Sequence, residues 1–437
     1  MKLILDKKKI SLSTSGYKHI HINEDKEDND VPISTTQLIL FFIFIIIILI
    51  LILIIILTVL YKFVIKPDLE KSRKKKHPEI FLSYNEKRKV EKYINDCING
   101  VLYDKTKYKK TENPKISVII PVYNKEMFIL RILRSIQNQS FKDIEIIFCD
   151  DGSYDNSTKL VKEYQKEDDR IILMRHDINR GTLMTRNDGA NLAKGEYLLF
   201  IDGDDISVNN ILEKTYLKAK ETGVDIIQYQ MYSGDFNNSF YCNIIKRKSE
   251  IIYQPELSSL MYYEDGYLHQ TEYHVCGKLI KRNIFLETIR SIDNYYLNQS
   301  MSLHEDGLIL FILFKTANSY LFLDEYGLLY YYNEYSTLRN IRKAEKINKA
   351  TKDSFLYLEF MFNYTNNTLY EKNMAFFQFE SLIYLYNDIF QKTTKGFDYI
   401  YKVIDLYINC NIFSKENKTF IKNIKKQFIN VQKNLTQ

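Results

Sequence analysis

Residues 116–122 read ISVIIPV, and runs of the same character follow at 144–149 (IEIIFC), 171–175 (IILMR) and 197–201 (YLLFI). Each is short, apolar and rich in β-branched residues, as in strands buried on both faces. Between them the spacing turns helical. In 126–139 the apolar residues Phe128, Ile129, Ile132, Leu133 and Ile136 fall on one face, and 155–166 and Gly181–Ala193 also read as helices. A helix over Val208–Thr222 and a strand over Asp225–Tyr229 extend the alternation. Strand, helix, strand, helix predicts an α/β fold with a mainly parallel sheet flanked by helices.

In such sheets ligands bind beyond the carboxyl ends of the strands, and that is where the polar clusters stand. The first strand ends in Pro121-Val-Tyr-Asn124 and the second in Asp150-Asp-Gly-Ser153. Asn179-Arg-Gly181 follows the third, with Arg186-Asn187 in the next helix. The fourth ends in Asp202-Gly-Asp-Asp205. The carboxylates of Asp202, Asp204 and Asp205 repel one another, a cost that a cation relieves. Hard oxygen ligands suit Mg²⁺ or Mn²⁺, held by one or two carboxylates together with substrate phosphates. The plainer alternative is a solvated acidic turn capping a helix, which needs only one Asp. Asp150 and Asp151 can accept hydrogen bonds from a base or ribose. Arg186 can pair with a phosphate, or else form a surface salt bridge. No GxGxxG follows the first strand, which argues against a dinucleotide-binding dehydrogenase.

In order and spacing, PVYN, DDGS, the NRG and RND pair and FIDGDD resemble the family 2 glycosyltransferases of the GT-A (Rossmann-like) fold, strongly over about 115–235 and more weakly to about 340. The resemblance implies an inverting transferase that takes its sugar from a nucleoside diphosphate, with UDP-sugars favoured. It implies a donor site built from Pro121, Tyr123, Asn124, Asp150, Asp151, Arg186, Asp202 and Asp204. It also implies a divalent metal, Mn²⁺ or Mg²⁺, on Asp202, Asp204 and Asp205. His304-Glu-Asp306, ahead of the apolar run Leu308–Phe314, matches the family's catalytic-base motif. Asp306 is then the base and Glu305 its neighbour; read from the residues alone, the pair equally suits a helix N-terminus. Val275-Cys-Gly-Lys-Leu-Ile-Lys-Arg282 resembles the segment that opens the acceptor side, although many relatives carry an aromatic and an Asn where Cys276 and Gly277 stand. Residues 330–336 (YYYNEYS) resemble the stretch that closes it, or form an edge strand. A nucleotidyltransferase would need a Gly- and basic-rich phosphate loop near the first strand, which is missing. A catalytically inactive, membrane-tethered binding protein of the same fold is the other alternative, and retention of all these acids speaks against it.

Outside this region, every residue of 38–57 is apolar. At 1.5 Å per residue that reaches about 30 Å, the thickness of a bilayer core. The expected organisation is a polar tail at 1–37, a single transmembrane helix at 38–60, a basic linker at 61–113, the transferase domain at 114–340 and a helical region at 341–437. Lys62, Lys66, Lys71, Arg73, Lys74, Lys75 and Lys76 follow the span, whereas an acidic patch with Lys26 precedes it. The flanking charge places the catalytic domain in the cytosol, while analogy with Golgi transferases places it in the lumen. The partners expected are the nucleotide-sugar donor, a glycan, lipid or protein acceptor, and a lipid bilayer. The net charge of +6 is modest and spread out, poor grounds for a nucleic-acid partner. The five cysteines form no CxxC pair, which argues against a zinc cluster or a dense disulfide framework.

Overall fold

The structure is a computed structural model that describes residues 84–102, 108–208, 210–234, 241–243, 250–261, 274–331, 344–366 and 368–436. All of them belong to one compact unit, His77–Gln437. The tail and apolar span expected at 1–60, most of the linker, and residues 332–336 lie outside the described residues. Among the described residues no helix is long and apolar enough to cross a membrane.

Helix α1 (Tyr84–Ile98) leads into strand β1 (Ile116–Val122), helix α2 (Ile129–Gln137), β2 (Ile144–Asp150), α3 (Ser157–Gln165), β3 (Ile171–Arg175), α4 (Thr182–Leu192) and β4 (Tyr197–Phe200). The four strands pair in parallel in the order β3-β2-β1-β4. β2 and β4 are buried throughout, as mostly apolar strands covered on both faces are, and the Glu145 carboxylate inside β2 accepts from Ser117 Oγ of β1 at 2.6 Å. The stripe of α2 packs onto them, with Phe128, Ile129, Ile132, Leu133 and Ile136 all buried. α4 comes closest to the sheet at Gly189, where a Cβ would meet Ile119 Cγ2 and Cys149 Sγ at 2.7 Å. That approach fixes Arg186, one turn earlier, over the strand ends.

The second half departs from the expected parallel order. It comprises β5 (Ile206–Ser207), α5 (Ile211–Thr222), β6 (Ile226–Gly234), β7 (Tyr241–Asn243), β8 (Ile251–Tyr253), β9 (Lys278–Lys281), α6 (Arg282–Arg290), α7 (Asn294–Leu297), α8 (Glu305–Thr316) and β10 (Ser319–Tyr331). β9 wedges between β4 and β6 and runs antiparallel to both. β5 and β8 pair antiparallel with β10, and β7 with β6. Only β10 with β6 restores a parallel pairing. The sheet is therefore mixed. A parallel strand needs a crossover helix ahead of it, and β9 has its helix, α6, after it instead.

Residues 308–314 of α8 are all buried. Each such side chain contributes about 1.5–3 kcal/mol of burial, so the helix is firmly seated and its acidic N-terminus with it. The C-terminal region is helical, as expected: α9 (Ala344–Tyr364), α10 (Leu369–Phe390), α11 (Phe397–Asn409) and α12 (Lys415–Thr436). α9 joins the transferase core through aromatic contacts, Phe360 meeting Tyr296 and Phe311 edge to face.

Candidate active site

The ends of β1 and β2 are stitched together. Asn124 takes a left-handed φ of 54°, its N–H donates to Ser153 Oγ at 2.9 Å and its Oδ1 accepts from Tyr154 N at 3.0 Å. Tyr123, 42% exposed, stands edge-on to Tyr154 with ring centroids 6.1 Å apart. Asp150 is buried; it accepts from Ser153 N, Arg175 Nη1 and Thr158 Oγ1. Asp151, also buried, accepts from Arg180 N at 2.8 Å and Gly181 N at 2.9 Å, with His176 Nδ1 at 2.8 Å. Each carboxylate therefore uses three of its roughly four acceptor positions within the protein. They organise the loops at the sheet edge, with about one acceptor position left on each.

At the end of β4 the three aspartates have three different surroundings. Asp202 Oδ1 accepts from Arg186 Nη2 at 2.9 Å. Asp204 Oδ2 is held by Lys125 Nζ at 2.6 Å, and its carbonyl accepts from Arg131 Nη2. The Arg131 guanidinium lies between the rings of Phe128 and Tyr331, 4.3 and 3.9 Å from their centroids. Asp205 is 1% exposed; Oδ1 accepts from Tyr331 N at 3.1 Å, and Oδ2 is buried with no partner among the described residues. Burial, with Asp204 and Asp202 nearby, pushes the Asp205 carboxyl well above the usual range.

Arg186 is the hub. It is 1% exposed, so the alternative of a surface salt bridge does not hold, and its guanidinium pairs with buried and half-buried carboxylates. Besides Asp202, its Nη1 donates to Asp306 Oδ1 at 2.5 Å and lies 3.3 Å from Glu305 Oε1. Burial alone would favour a neutral guanidine; Asp306 and Asp202 outweigh it and hold the charge. Asp306 Oδ2 also lies 3.6 Å from His274 Nδ1. Against burial, Arg186 and His274 keep the Asp306 carboxyl below its ordinary value. Glu305 goes the other way: burial and the Asp306 charge push it up to about 8. The two neighbouring acids are thus driven apart, Glu305 towards its protonated form and Asp306 towards its ionised one.

The approach to this pair is clamped from both sides. Residue His304 adopts φ 66°. Its Nε2 is 3.1 Å from Ser354 Oγ on α9, and its ring stacks on Tyr357. Ser302 N donates to Asp353 Oδ2, and Lys349 Nζ to Ser300 O. On the opposite side Thr182 N donates to Met301 O at 3.1 Å. Gly181 there has φ 88°, and a Cβ on it would strike Met301 backbone at 2.7 Å.

Asp202, Asp205 and Cys276 each offer a ligand atom within 4.8 Å of the others. The expected set of Asp202, Asp204 and Asp205 is therefore regrouped, because Lys125 draws Asp204 aside and Cys276 stands close instead. The unpartnered Asp205 Oδ2 fits a cation at this point, since a buried acceptor without a partner costs about 1–3 kcal/mol. Lys125, Arg131, His274 and Cys276 did not stand out as site residues in the sequence; Lys125 alone carried a signal, by directly following PVYN.

Residues 117–287 match the family model described as glycosyl transferase family 2. The chain carries a family 2 glycosyltransferase domain. That domain holds Pro121 through Asp205 and also Cys276, whereas the Glu305-Asp306 pair and its clamp lie beyond the matched residues. EpsJ, an uncharacterized glycosyltransferase of Bacillus subtilis (strain 168), is 28% identical over 230 residues, 52% of this chain and 64% of its own. The GalNAc(5)-diNAcBac-PP-undecaprenol beta-1,3-glucosyltransferase of Campylobacter jejuni is 39% identical over 109 residues, 25% of this chain and 35% of its own. The chain thus spans less than two thirds of each of these relatives. The fold is shared with a solved structure of S. aureus TarS 1-349 in complex with UDP-GlcNAc, at TM-score 0.53 and 16% identity, covering 74% of this chain and 90% of that one.

Proposed function

We propose that the chain is a membrane-anchored, inverting glycosyltransferase that moves a sugar from a nucleoside diphosphate, UDP favoured, to an acceptor hydroxyl. The observation that carries this reading is the Arg186 bridge, which joins Asp202 of the DGDD motif to Glu305 and Asp306 in one site. The β-glucosyl product named for the Campylobacter relative supports inversion, since it would arise from an α-linked donor. The UDP-GlcNAc named in the TarS title supports a UDP-sugar donor.

Asp306 is ionised and fixed by Arg186, so it can accept the proton of the acceptor hydroxyl as that oxygen bonds to the anomeric carbon and the bond to the diphosphate breaks. Glu305, pushed up by burial and by the Asp306 charge, holds its proton more readily than its neighbour. Tyr123 offers an exposed ring at the nucleoside end, suited to stacking on a base. A divalent cation on Asp202 and Asp205 would supply positive charge against the departing diphosphate. Anchoring rests on the apolar residues 38–57, and the basic flank that follows them favours a cytosolic catalytic unit. Endoglycosidase-sensitive glycans on the unit from His77 onward would place it in the lumen instead.

The test is a screen of the purified chain against UDP- and GDP-sugars, reading donor consumption and transfer. Consumption of one donor class, lost in Asp306→Asn while the donor still binds, is the expected result. A chain that binds donors but consumes none would be a binding protein, and this reading would be overturned.

A further inference from the structure

Antiparallel pairing of β4 with β9 sets Leu199 opposite Leu279 and Tyr197 opposite Lys281. Continued three residues beyond Leu199, the same register puts Cys276 across from Asp202. Gly277, with φ 79°, turns the chain at that point, and its carbonyl accepts from Tyr229 N, which fixes the segment against β6. Cys276 is 5% exposed and Asp205 1%. Their ligand atoms and that of Asp202 lie within 4.8 Å of one another, close to the span one ion bridges with metal–oxygen bonds of about 2.1 Å and a metal–sulfur bond of about 2.3 Å. Asp205 Oδ2 is buried and has no hydrogen-bond partner among the described residues. A thiol that merely filled space would be a small buried hydrophobe, and it would not need to stand beside two carboxylates.

We propose that Cys276 is the third protein ligand of the cation, binding through sulfur, so that the site takes thiophilic divalent ions such as Cd²⁺ and Zn²⁺ in preference to Mg²⁺. The inference rests on the cation reading of Asp202 and Asp205 above and specifies the chemical class of ion. An all-oxygen set suits Mg²⁺, whereas a thiolate shifts the preference to softer metals. On binding, the S–H bond breaks, the proton leaves to solvent and the sulfur–metal bond forms, with no change in oxidation state. Lys125 keeps Asp204 out of the set by its 2.6 Å ion pair, which leaves the sulfur its place.

The test titrates the full chain with Cd²⁺ and separately with Mg²⁺, by calorimetry and by the ultraviolet charge-transfer absorption of cadmium thiolate. Cys276→Ser and Cys276→Ala are the variants, each checked for an unchanged melting profile without metal. The other cysteines contribute equally in all three proteins, so the difference reports position 276. Expected is a Cd²⁺ affinity that falls by about tenfold or more in both variants, since even groups that only support a metal ligand typically contribute that much. The difference absorption should vanish, while Mg²⁺ affinity stays nearly level. Unchanged Cd²⁺ affinity and absorption in both variants would overturn the thiol ligand and leave the acidic site standing. No Mg²⁺ and no Cd²⁺ bound by the unmutated chain would overturn the cation reading itself.

Discussion

Replacing Arg186 with Met removes the charge between Asp202, Glu305 and Asp306 while keeping most of the apolar bulk. The guanidinium is 1% exposed and makes contacts of 2.9, 3.3 and 2.5 Å to these three acids. Breaking a buried pair by removing one partner costs about 3–5 kcal/mol, a large share of a net stability of about 5–15 kcal/mol. With a urea dependence of about 3 kcal/mol per molar, the midpoint should fall by roughly 1–1.7 M. The pH dependence gives the sign. In the unmutated chain the Asp306 carboxyl is held below its ordinary value, so its contribution is present above about pH 3.9 and fades as pH falls further. In the variant Asp306 loses that support while its burial remains, so it binds a proton more readily folded than unfolded, and acid should help the variant. The gap between the two proteins should therefore narrow between pH 8 and pH 5, by urea titration in excess chelator. Arg186→Lys should recover only part of the loss, because an ammonium cannot fork to three acids. An Arg186→Met chain that unfolds at the unmutated midpoint would refute the idea that this charge holds the two halves of the site together.

Three further outcomes follow from the same geometry. Asp306→Asn should lose transfer by about 10²–10⁴ with donor binding kept, while Glu305→Gln should lose far less, because Gln copies the protonated acid; the opposite ranking by steady-state kinetics would exchange their roles. Glu305 is raised from 4.5 to about 8, so its folded state holds a proton that the unfolded chain releases, and stability should decline as pH rises through that window. Glu305→Gln should flatten this decline in thermal melts at several pH values. Donor turnover should stop in excess chelator and return with Mn²⁺, and Asp205→Ala should lose it more completely than Asp204→Ala; full turnover in chelator would end the metal reading.

The strands β1 to β4 were legible because each is short and mostly apolar, with β-branched residues prominent in β1 to β3, and their polar ends had to lie on one edge once the pairing was parallel; the two polar residues inside them, Ser117 and Glu145, bond to each other. β9 was not, since KLIK carries two Lys in four residues and gives no sign of joining β4 to β6. β5 is two residues long and vanishes into the DGDD turn. The acids of the site were legible by type and position, but their partners were not. Lys125 reaches Asp204 across 79 positions, and Arg186 reaches Asp306 across 120. Spacing along a chain carries no information about such pairs. Arg186 read as either a phosphate ligand or a surface salt bridge, and its position in the helix gave no sign that it would be buried against Asp202, Glu305 and Asp306.

The clamp around residues 300–304 bears on how such enzymes could diversify. The turn that aims Glu305 and Asp306 rests on Asp353, Ser354 and Tyr357 of α9, outside the matched family domain. A chimera that kept the domain and exchanged the C-terminal helices would inherit the donor chemistry intact yet rebuild the cradle under its own base. Drift among these helices, in residues that touch neither sugar, would still be felt as a change in the angle at which the acceptor oxygen is received.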